Sequence, residues 1–397
     1  MVTVRGSQGP RHGAELQDLG IIPDGAILIG DGIIEEVGPT RRVENLWAAR
    51  GAAEISAAGR VVMPGFVDSH THMVFPPPGA CAQDLGGAAR SVRASTGHHI
   101  QWRTQTYLAA MARHGTTTVE GKTGCGPDES AELKLLRVMA ALKDQPLHVV
   151  PTFLFRLPQP GENGDASAEE AAEWVFRELL PKIRRRRFAK FADLAWESDL
   201  GFEEIYGRYL GAARSLGFAC KVHAHHSGAG AAIASAVENL AVSVDHLEYA
   251  SAQEAAILAD SGTMATLLPL ATFPSGRNAP ARALIEAGVP IALASNFNSR
   301  HSSTLNMQTV VALACTNLGM TIEEAIIAAT INGAHALGRA DRVGSLEAGK
   351  RADLLILNSP DYREMARFFG MNLVHMTMRN GAVIYKEGDV VNEEPCG

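Results

Sequence analysis

Two histidines separated by one residue, His70 and His72, are the clearest candidates for chemistry in this sequence. They follow Pro64, Gly65 and an apolar run that predicts a strand from Val61 to Val67. Because side chains two residues apart on an extended strand point to the same side, both imidazoles can reach one point in space. Two converging imidazoles are the beginning of a zinc or iron site, although His-x-His alone also occurs at polar strand ends that bind no metal.

Two further histidines end predicted strands later in the chain. His223 closes a strand that begins at Ala219, and His246 closes one that begins at Val242. Strands and helices alternate from Thr116 onwards, which predicts parallel strands joined by crossover helices in a closed (β/α)₈ TIM barrel. Active sites of such barrels lie at the carboxyl ends of the strands, so the four histidines predict one metal-bearing site there.

Short strand patterns precede and follow this alternation. Gly30-Asp31-Gly32 is a hairpin signal between Ala26–Ile29 and Ile33–Val37. Three more short strands are predicted near the end, at Gly344–Leu346, Ala352–Leu357 and Met376–Ile384. Neither terminal stretch is large enough to be stable alone. We therefore expect residues 1–62 and 344–397 to form one small composite β-sandwich, and residues 63–343 to form the barrel.

Three segments of the barrel carry more specific expectations. Pro76 to Gly97 lacks clean periodicity and is predicted to be a loop. A capping box at Ser167 and Glu170 opens one helix that runs to about Arg185. A single helix is predicted from Ile322 to Leu337.

Composition limits the functional classes. The 397 residues are 46% hydrophobic and 20% charged, as in a globular enzyme, and the formal net charge of -7 gives no sign of a nucleic-acid partner. The five cysteines have no paired spacing, which favours a reducing cytoplasm over a disulfide framework. No signal peptide and no apolar run of membrane-spanning length is found, so no membrane partner is expected.

Several motifs resemble the amidohydrolase superfamily, and imidazolonepropionases in particular. The motifs cover nearly the whole chain and are Pro64-Gly65-Phe66-Val67-Asp68-Ser69-His70-Thr71-His72, Gly115-Thr116-Thr117-Thr118-Val119-Glu120-Gly121-Lys122, Val150-Pro151-Thr152-Phe153-Leu154, Lys221-Val222-His223-Ala224, Asp245-His246-Leu247-Glu248, Gly344-Ser345-Leu346-Glu347-Ala348-Gly349-Lys350 and Phe369-Gly370-Met371-Asn372-Leu373-Val374. The resemblance implies a metal-dependent barrel with a composite β-sandwich, usually assembled as a homodimer. It also implies that His70, His72 and His223 bind one metal ion, and that His246 lies near the reacting water or the substrate.

The sequence departs from that family at the positions that move protons. Asn296 stands where the family has the aspartate that ends strand 8, and an amide cannot accept a proton near pH 7. His226 stands where the family has a glutamate that helps proton transfer. An imidazole at position 226 is suited to act as a general base, to be an additional metal ligand, or to be an incidental surface residue.

The substrate-binding motifs also differ. The family's arginine-bearing loop is replaced by Pro76–Gly79, its Gly-Gly-Gly-Ile by Gly97-His98-His99-Ile100, and its tyrosine by Cys125. An anionic propionate needs a cationic clamp, so these losses argue against imidazolonepropionate as the substrate. Four residues are the candidate substrate-binding groups: Arg156, Arg300, His99 and Glu197.

Three hypotheses follow. The first is a repurposed hydrolase that cleaves a non-peptide carbon–nitrogen bond of a cyclic amide or amidine, in a small molecule or a modified peptide. It would use one divalent metal, with zinc expected before iron or manganese, and His246, His226 and Asn296 as catalytic residues. The second is a non-hydrolytic cyclase, isomerase or lyase on the same metal site, and the third is a binding protein with a decayed site.

Overall fold

The computed structural model describes residues 1–6, 8–76, 85–126, 128–142, 144–157, 167–197, 201–224, 229–271, 276–298, 302 and 304–388. None of the helices within these ranges is both long and apolar enough to cross a lipid bilayer.

Strands and helices alternate through the centre of the chain, as the sequence predicts. The strands are β1 (Gly25–Gly30), β2 (Ile33–Pro39), β3 (Val62–Pro64), β4 (Phe66–Asp68), β5 (Thr116–Lys122), β6 (His148–Phe155), β7 (Phe191–Ala195), β8 (Ala219–Ala224), β9 (Ser243–His246), β10 (Met264–Leu267), β11 (Ile291–Leu293), β12 (Leu354–Leu357), β13 (Val374–Arg379) and β14 (Ala382–Lys386). The α-helices are α1 (Thr40–Val43), α2 (Leu85–Ala94), α3 (Gly97–Arg113), α4 (Glu129–Ala141), α5 (Ala168–Trp174), α6 (Leu180–Arg186), α7 (Glu203–Ser215), α8 (Ala229–Glu238), α9 (Ala252–Ala259), α10 (Ala281–Glu286), α11 (Met307–Asn317), α12 (Ile322–Ala328), α13 (Ile331–Ala336) and α14 (Glu364–Arg367). A π-helical segment, Val175–Leu179, joins α5 to α6.

Eight parallel strands, β4 to β11, form one sheet in chain order, which confirms the barrel. The first and last strands meet just beyond their carboxyl ends, where Thr71 pairs in parallel with Phe297. Two backbone hydrogen bonds close the seam: the Asn296 amide donates to the His70 carbonyl at 3.1 Å, and the His72 amide donates to the Phe297 carbonyl at 2.7 Å. Two of the three predicted metal ligands, His70 and His72, therefore lie on the segment that closes the barrel.

The predicted strand from Val61 to Val67 is in fact two strands that belong to different sheets. β3 pairs antiparallel with β12, whereas β4 pairs in parallel with β5. The change of sheet occurs at Gly65, where a Cβ atom would overlap the side chain of Thr117. A single apolar run thus connects the barrel to the terminal sheets.

Both ends of the chain contribute to a second layered unit. β1 and β2 form an antiparallel pair, and β14, β13, β12 and β3 form a four-stranded sheet. Apolar side chains from the two sheets and from the segments that flank them pack in one small core: Ile22, Ile34, Val37, Leu346, Ala352, Leu354, Ile356, Met376 and Met378. This arrangement is the composite β-sandwich that the sequence predicts.

The loop prediction for Pro76 to Gly97 is wrong where helix α2 occurs. Ala88, Ala89 and Val92 form its buried face, and the Lys134 ammonium donates to three carbonyls at its carboxyl end, including that of Val92 at 3.0 Å. Helix α2 is therefore stabilised by a neighbour that is distant in sequence, which a local pattern does not reveal.

Four other predicted elements also differ. The strand predicted from Met376 to Ile384 is two strands, β13 and β14, joined by a turn at Asn380 and Gly381. The predicted helix from Ala168 contains a π-helical segment, and the one from Ile322 to Leu337 divides into α12 and α13. The break between α12 and α13 has a clear cause, since the Ala329 carbonyl accepts a hydrogen bond at 2.9 Å from Val67 of the barrel. Gly344–Leu346 is not a strand but a bend followed by irregular backbone, and the Leu346 amide donates to the Thr3 carbonyl at 2.8 Å.

Candidate metal centre

Four imidazole rings lie together at the carboxyl ends of the barrel strands. The His70 ring centroid is 5.2 Å from that of His72, 4.5 Å from that of His223 and 5.6 Å from that of His246. Within the described parts of the chain, His70, His223 and His246 have ligand atoms that all lie within 4.8 Å of one another. The structure therefore brings together the four histidines that the sequence singles out.

Two buried carboxylates determine how two of these rings are oriented. Nδ1 of His70 is 2.6 Å from Oδ2 of Asp245, and Nδ1 of His223 is 3.1 Å from Oδ1 of Asp193. A carboxylate only accepts hydrogen bonds, so each Nδ1 carries the proton and each Nε2 has a free lone pair. Carboxylate–histidine pairs of this kind orient metal ligands in many proteins.

The Nε2 atoms of His70, His72 and His223 have the spacing and, in the described part of the chain, the lack of competing partners that a metal site requires. Nε2 of His223 is buried and has no hydrogen-bond partner among the described residues. Nε2 of His70 lies 3.2 Å from Nε2 of His72. Two nitrogens bound to one tetrahedral zinc ion lie about 3.3–3.4 Å apart, so this spacing suits a shared metal.

The histidines are also in the protonation state that a metal requires. Burial lowers the pKa of His70 and His72 well below the usual range, and the charge of Lys122 lowers both further. Burial also lowers the pKa of His223, against the opposing effect of Asp193. Neutral imidazole is the form that binds metals, so these residues fit a divalent cation.

A network of buried charges lies beneath the histidines. Three carboxylates and two ammonium groups with fully buried side chains make it up: Glu120, Asp193, Asp245, Lys122 and Lys221. The Lys122 ammonium is 2.5 Å from Asp193, 3.0 Å from Asp245 and 3.2 Å from Glu120. Asp193, His223 and Asp245 have the composition of a second metal site, but the Lys122 ammonium already bridges its two carboxylates.

Two candidate residues have left-handed backbone conformations, with φ of 84° at His246 and 53° at Asn296. Such conformations in non-glycine residues cost about 1–3 kcal/mol and are concentrated at functional sites. Nδ1 of His246 lies 3.2 Å from Glu248 Oε1. Asn296 is buried beside the barrel seam, and its carbonyl accepts a hydrogen bond at 2.8 Å from the side chain of Asn298.

The remaining sequence candidates lie in different surroundings. Arg156 and Glu197 follow β6 and β7 and pair at 3.5 Å, and the charge of Arg156 is close enough to lower the pKa of His72. His99 is exposed in the first turn of α3, and its ring stacks on Trp102 at a centroid distance of 6.4 Å. His226 and Arg300 lie outside the described residues. The roles assigned to all ten candidates stay predictions.

The sequence interpretation did not assign a role to the buried charge network. Its signal was present, because Glu120 and Lys122 alternate along a strand that is otherwise apolar or β-branched. Charged residues are almost never fully buried unless they are paired. Charges at every second position of a barrel strand therefore indicate partners on neighbouring strands, although they do not identify them.

Known proteins similar to this chain support the family and the fold. The model of the amidohydrolase family matches residues 61–384. The imidazolonepropionase of Parabacteroides distasonis is 38% identical over 96% of this chain and 96% of its own length. The imidazolonepropionase of Geobacillus kaustophilus is 36% identical over 98% of this chain and 97% of its own length.

Solved structures show the same architecture at low sequence identity. N-isopropylammelide isopropylaminohydrolase from Burkholderia multivorans superposes with a TM-score of 0.73 at 18% identity, covering 92% of this chain and 95% of that chain. An adenosine deaminase from Xanthomonas campestris, solved with bound zinc, has a TM-score of 0.68 at 19% identity and covers 93% of this chain and 90% of that chain.

Proposed function

The chain belongs to the amidohydrolase family of hydrolases, which cleave carbon–nitrogen bonds other than peptide bonds. From this premise we propose that the protein uses one bound metal ion to open such a bond in a cyclic amide or amidine. One observation carries the proposal. The Nδ1 atoms of His70 and His223 are hydrogen-bonded to Asp245 and Asp193, which leaves the Nε2 atoms of both rings directed at one site. A decayed site would have no need to keep both carboxylates in place.

We propose His70, His72 and His223 as the residues that hold the metal. Imidazole nitrogens suit zinc first, and they also suit iron and manganese. When bound, a divalent ion lowers the pKa of water and polarises the carbonyl or amidine carbon of the substrate. The ligand set differs from that implied by the family resemblance in lacking a charged member from strand 8, because Asn296 is neutral.

Proton transfer in this proposal depends on imidazole rather than carboxylate. His246 is oriented through Nδ1 by Glu248, so its Nε2 is the atom that accepts a proton from the attacking water or donates one to the leaving nitrogen. His226 is proposed as the general base on the basis of its sequence position alone. Asn296 contributes hydrogen bonds but no proton transfer.

Substrate selection is proposed to differ from that of imidazolonepropionases. Arg156 retains an exposed fraction of 34% in its side chain beside Glu197, which suits an anionic or hydrogen-bonding part of a substrate. His99 with Trp102 offers a flat, exposed surface for a larger ring, and Arg300 is proposed from its position after strand 8. A small cyclic molecule or a modified peptide satisfies these features. A homodimer in the cytoplasm is proposed from the family resemblance and the unpaired cysteines.

A second reaction is favoured by one observation, the neutral Asn296 in the position of an acid. Without that acid, the same metal site is suited to polarise a carbonyl for cyclisation, isomerisation or elimination. The experiment is a screen of the metal-loaded protein and its Asn296→Asp variant against cyclic amides and amidines, followed by mass spectrometry. The first proposal is supported if the ring is opened with addition of one water and the Asn296→Asp variant keeps or raises the rate of that reaction. A product without added water, lost in the variant, supports the second.

A further inference from the structure

We infer that Lys122 is a positioning residue for the metal centre: its ammonium holds Asp193 and Asp245 side by side, so that the two histidines they anchor present Nε2 to the same point. The inference rests on the proposed metal site and extends it from the ligands to the residue that arranges them. Lys122 is not a catalytic residue in this account, because its ammonium contacts carboxylates rather than the reacting groups.

The geometry places one ammonium between the two carboxylates. The Lys122 Nζ atom is 2.5 Å from Oδ2 of Asp193 and 3.0 Å from Oδ2 of Asp245. Oδ2 of Asp245 also lies 2.6 Å from His70, whereas Asp193 contacts His223 through its other oxygen. Each histidine is therefore connected to the same ammonium through one carboxylate.

Burial makes this connection necessary. The side chains of Lys122, Asp193 and Asp245 are fully excluded from solvent, so water cannot separate or screen the two carboxylates. Two neighbouring carboxylates without a cation repel each other and move apart. The carboxylate oxygens that accept the Nδ1 protons of His70 and His223 would then lose their positions. The lone pairs of His70 and His223 would no longer point at one site.

Lys122 also explains why the site is expected to hold one metal rather than two. Asp193, His223 and Asp245 form a second group with metal-binding composition. The Lys122 ammonium lies within hydrogen-bond distance of both carboxylates of that group, where it supplies the positive charge that a second ion would otherwise bring. An internal ammonium is permanent, so the carboxylates stay oriented whether or not metal is bound.

A second buried lysine provides a matched control. Lys221 is fully buried in the same network, but its ammonium contacts Glu120 at 2.8 Å and the Ser69 carbonyl at 3.2 Å. The structure records no hydrogen bond from Lys221 to either aspartate within the described residues. Lys122→Met and Lys221→Met therefore remove the same charge from the same network, and only the first removes the group that joins the two aspartates.

The experiment measures zinc affinity by competition with a chromophoric chelator, together with the thermal midpoint of the metal-free protein. Lys122→Met should weaken zinc binding about 10–100-fold, the range found when groups that orient metal ligands are lost. Lys221→Met should lower the thermal midpoint but change zinc affinity by less than about threefold. Equal zinc affinity in Lys122→Met and the wild type would overturn the inference.

A double variant separates positioning from general destabilisation. Lys122→Met combined with Glu120→Gln removes one positive and one negative charge, so the network keeps its net charge. The double variant should recover part of the thermal midpoint while zinc affinity stays low. Recovery of both would assign Lys122 a purely structural role. A wild-type protein that binds no zinc, iron or manganese would overturn the proposed function itself, a result that is distinct from either outcome.

Discussion

Asp245→Asn tests the tautomer argument at the metal centre. An asparagine can turn its amide N–H groups toward Nδ1 of His70, which would move the ring proton to Nε2 and block metal binding there. Loss of a group that orients a ligand weakens metal binding about 10–100-fold, or about 1.4–2.7 kcal/mol. The assay is zinc competition with a chelator of known affinity.

The charges in the structure predict that this variant still folds. At an effective dielectric constant of about 20, the Coulomb attraction between the Asp245 carboxylate and the Lys122 ammonium, 3.0 Å apart, is about 5–6 kcal/mol. Asp193 and Glu120 stay within 2.5 and 3.2 Å of the same ammonium, so the lysine remains paired. The expected loss of unfolding free energy in the metal-free protein is therefore that of the charge-assisted hydrogen bonds from Asp245 to His70 and to Lys122, about 1.5–3 kcal/mol each.

Asp68→Asn is the control for this prediction. Asp68 is also a buried acid next to the histidine motif, and its carboxylate accepts hydrogen bonds from the backbone amide of Ser295 at 3.0 Å and the hydroxyl of Ser295 at 2.5 Å. It also accepts from the backbone of His70, but it does not touch the imidazole ring whose tautomer is being tested. Zinc affinity in this variant should stay within about threefold of wild type. If Asp245→Asn changed zinc affinity no more than Asp68→Asn, the carboxylate would not be setting the tautomer of His70, and the reasoning would be refuted.

Three further predictions concern proton transfer and stability. Asn296→Asp should bind zinc more tightly, because it adds a negative charge beside the ligands, and should keep or raise hydrolysis; weaker zinc binding would place position 296 away from the metal. His226→Ala should lower the hydrolytic rate between pH 6 and 8, and a full rate across that range would remove His226 as the base. Burial raises the pKa of Glu132 from 4.5 to about 7, against hydrogen bonds from Thr123 and from the amides of Cys125 and Gly124. The folded protein therefore holds this proton more tightly than the unfolded chain, so stability that is present below pH 4.5 is lost as the pH rises to 7. The change is about 3 kcal/mol, and urea unfolding of Glu132→Gln should show that much less dependence on pH over this range.

The barrel and the histidine cluster could be predicted because both depend on regular repetition. Alternating strands and helices indicate a parallel sheet wherever they occur, and residues at strand ends such as His70, His223 and His246 meet at one face of the barrel. The positions of these side chains follow from topology rather than from packing detail. The amino-acid sequence is therefore enough to predict which histidines meet at the site.

The connections between elements could not be predicted in the same way. The apolar run from Val61 to Val67 reads as one strand, and only the close approach of Thr117 to Gly65 divides it between two sheets. Helix α2 depends on Lys134, a residue distant in sequence. Such features are set by contacts between distant segments, which a local pattern does not contain.

The buried charge network could not be predicted from the sequence either, because it also depends on contacts between distant segments. Glu120, Lys122 and Lys221 are recognisable as charged positions in buried strands, but their partners lie on other strands. Which aspartate meets which lysine depends on the register of β5, β7, β8 and β9. The sequence therefore predicted the histidines and left the groups that orient them unassigned.

Elemental analysis of protein purified without chelator or nickel affinity tests the metal centre most directly. The structure predicts about one zinc, iron or manganese ion per chain, with the ion lost in His70→Ala, because His70 connects the ligand cluster to Asp245. Absence of metal in the wild type, with no uptake after addition of any of the three ions, would contradict the account.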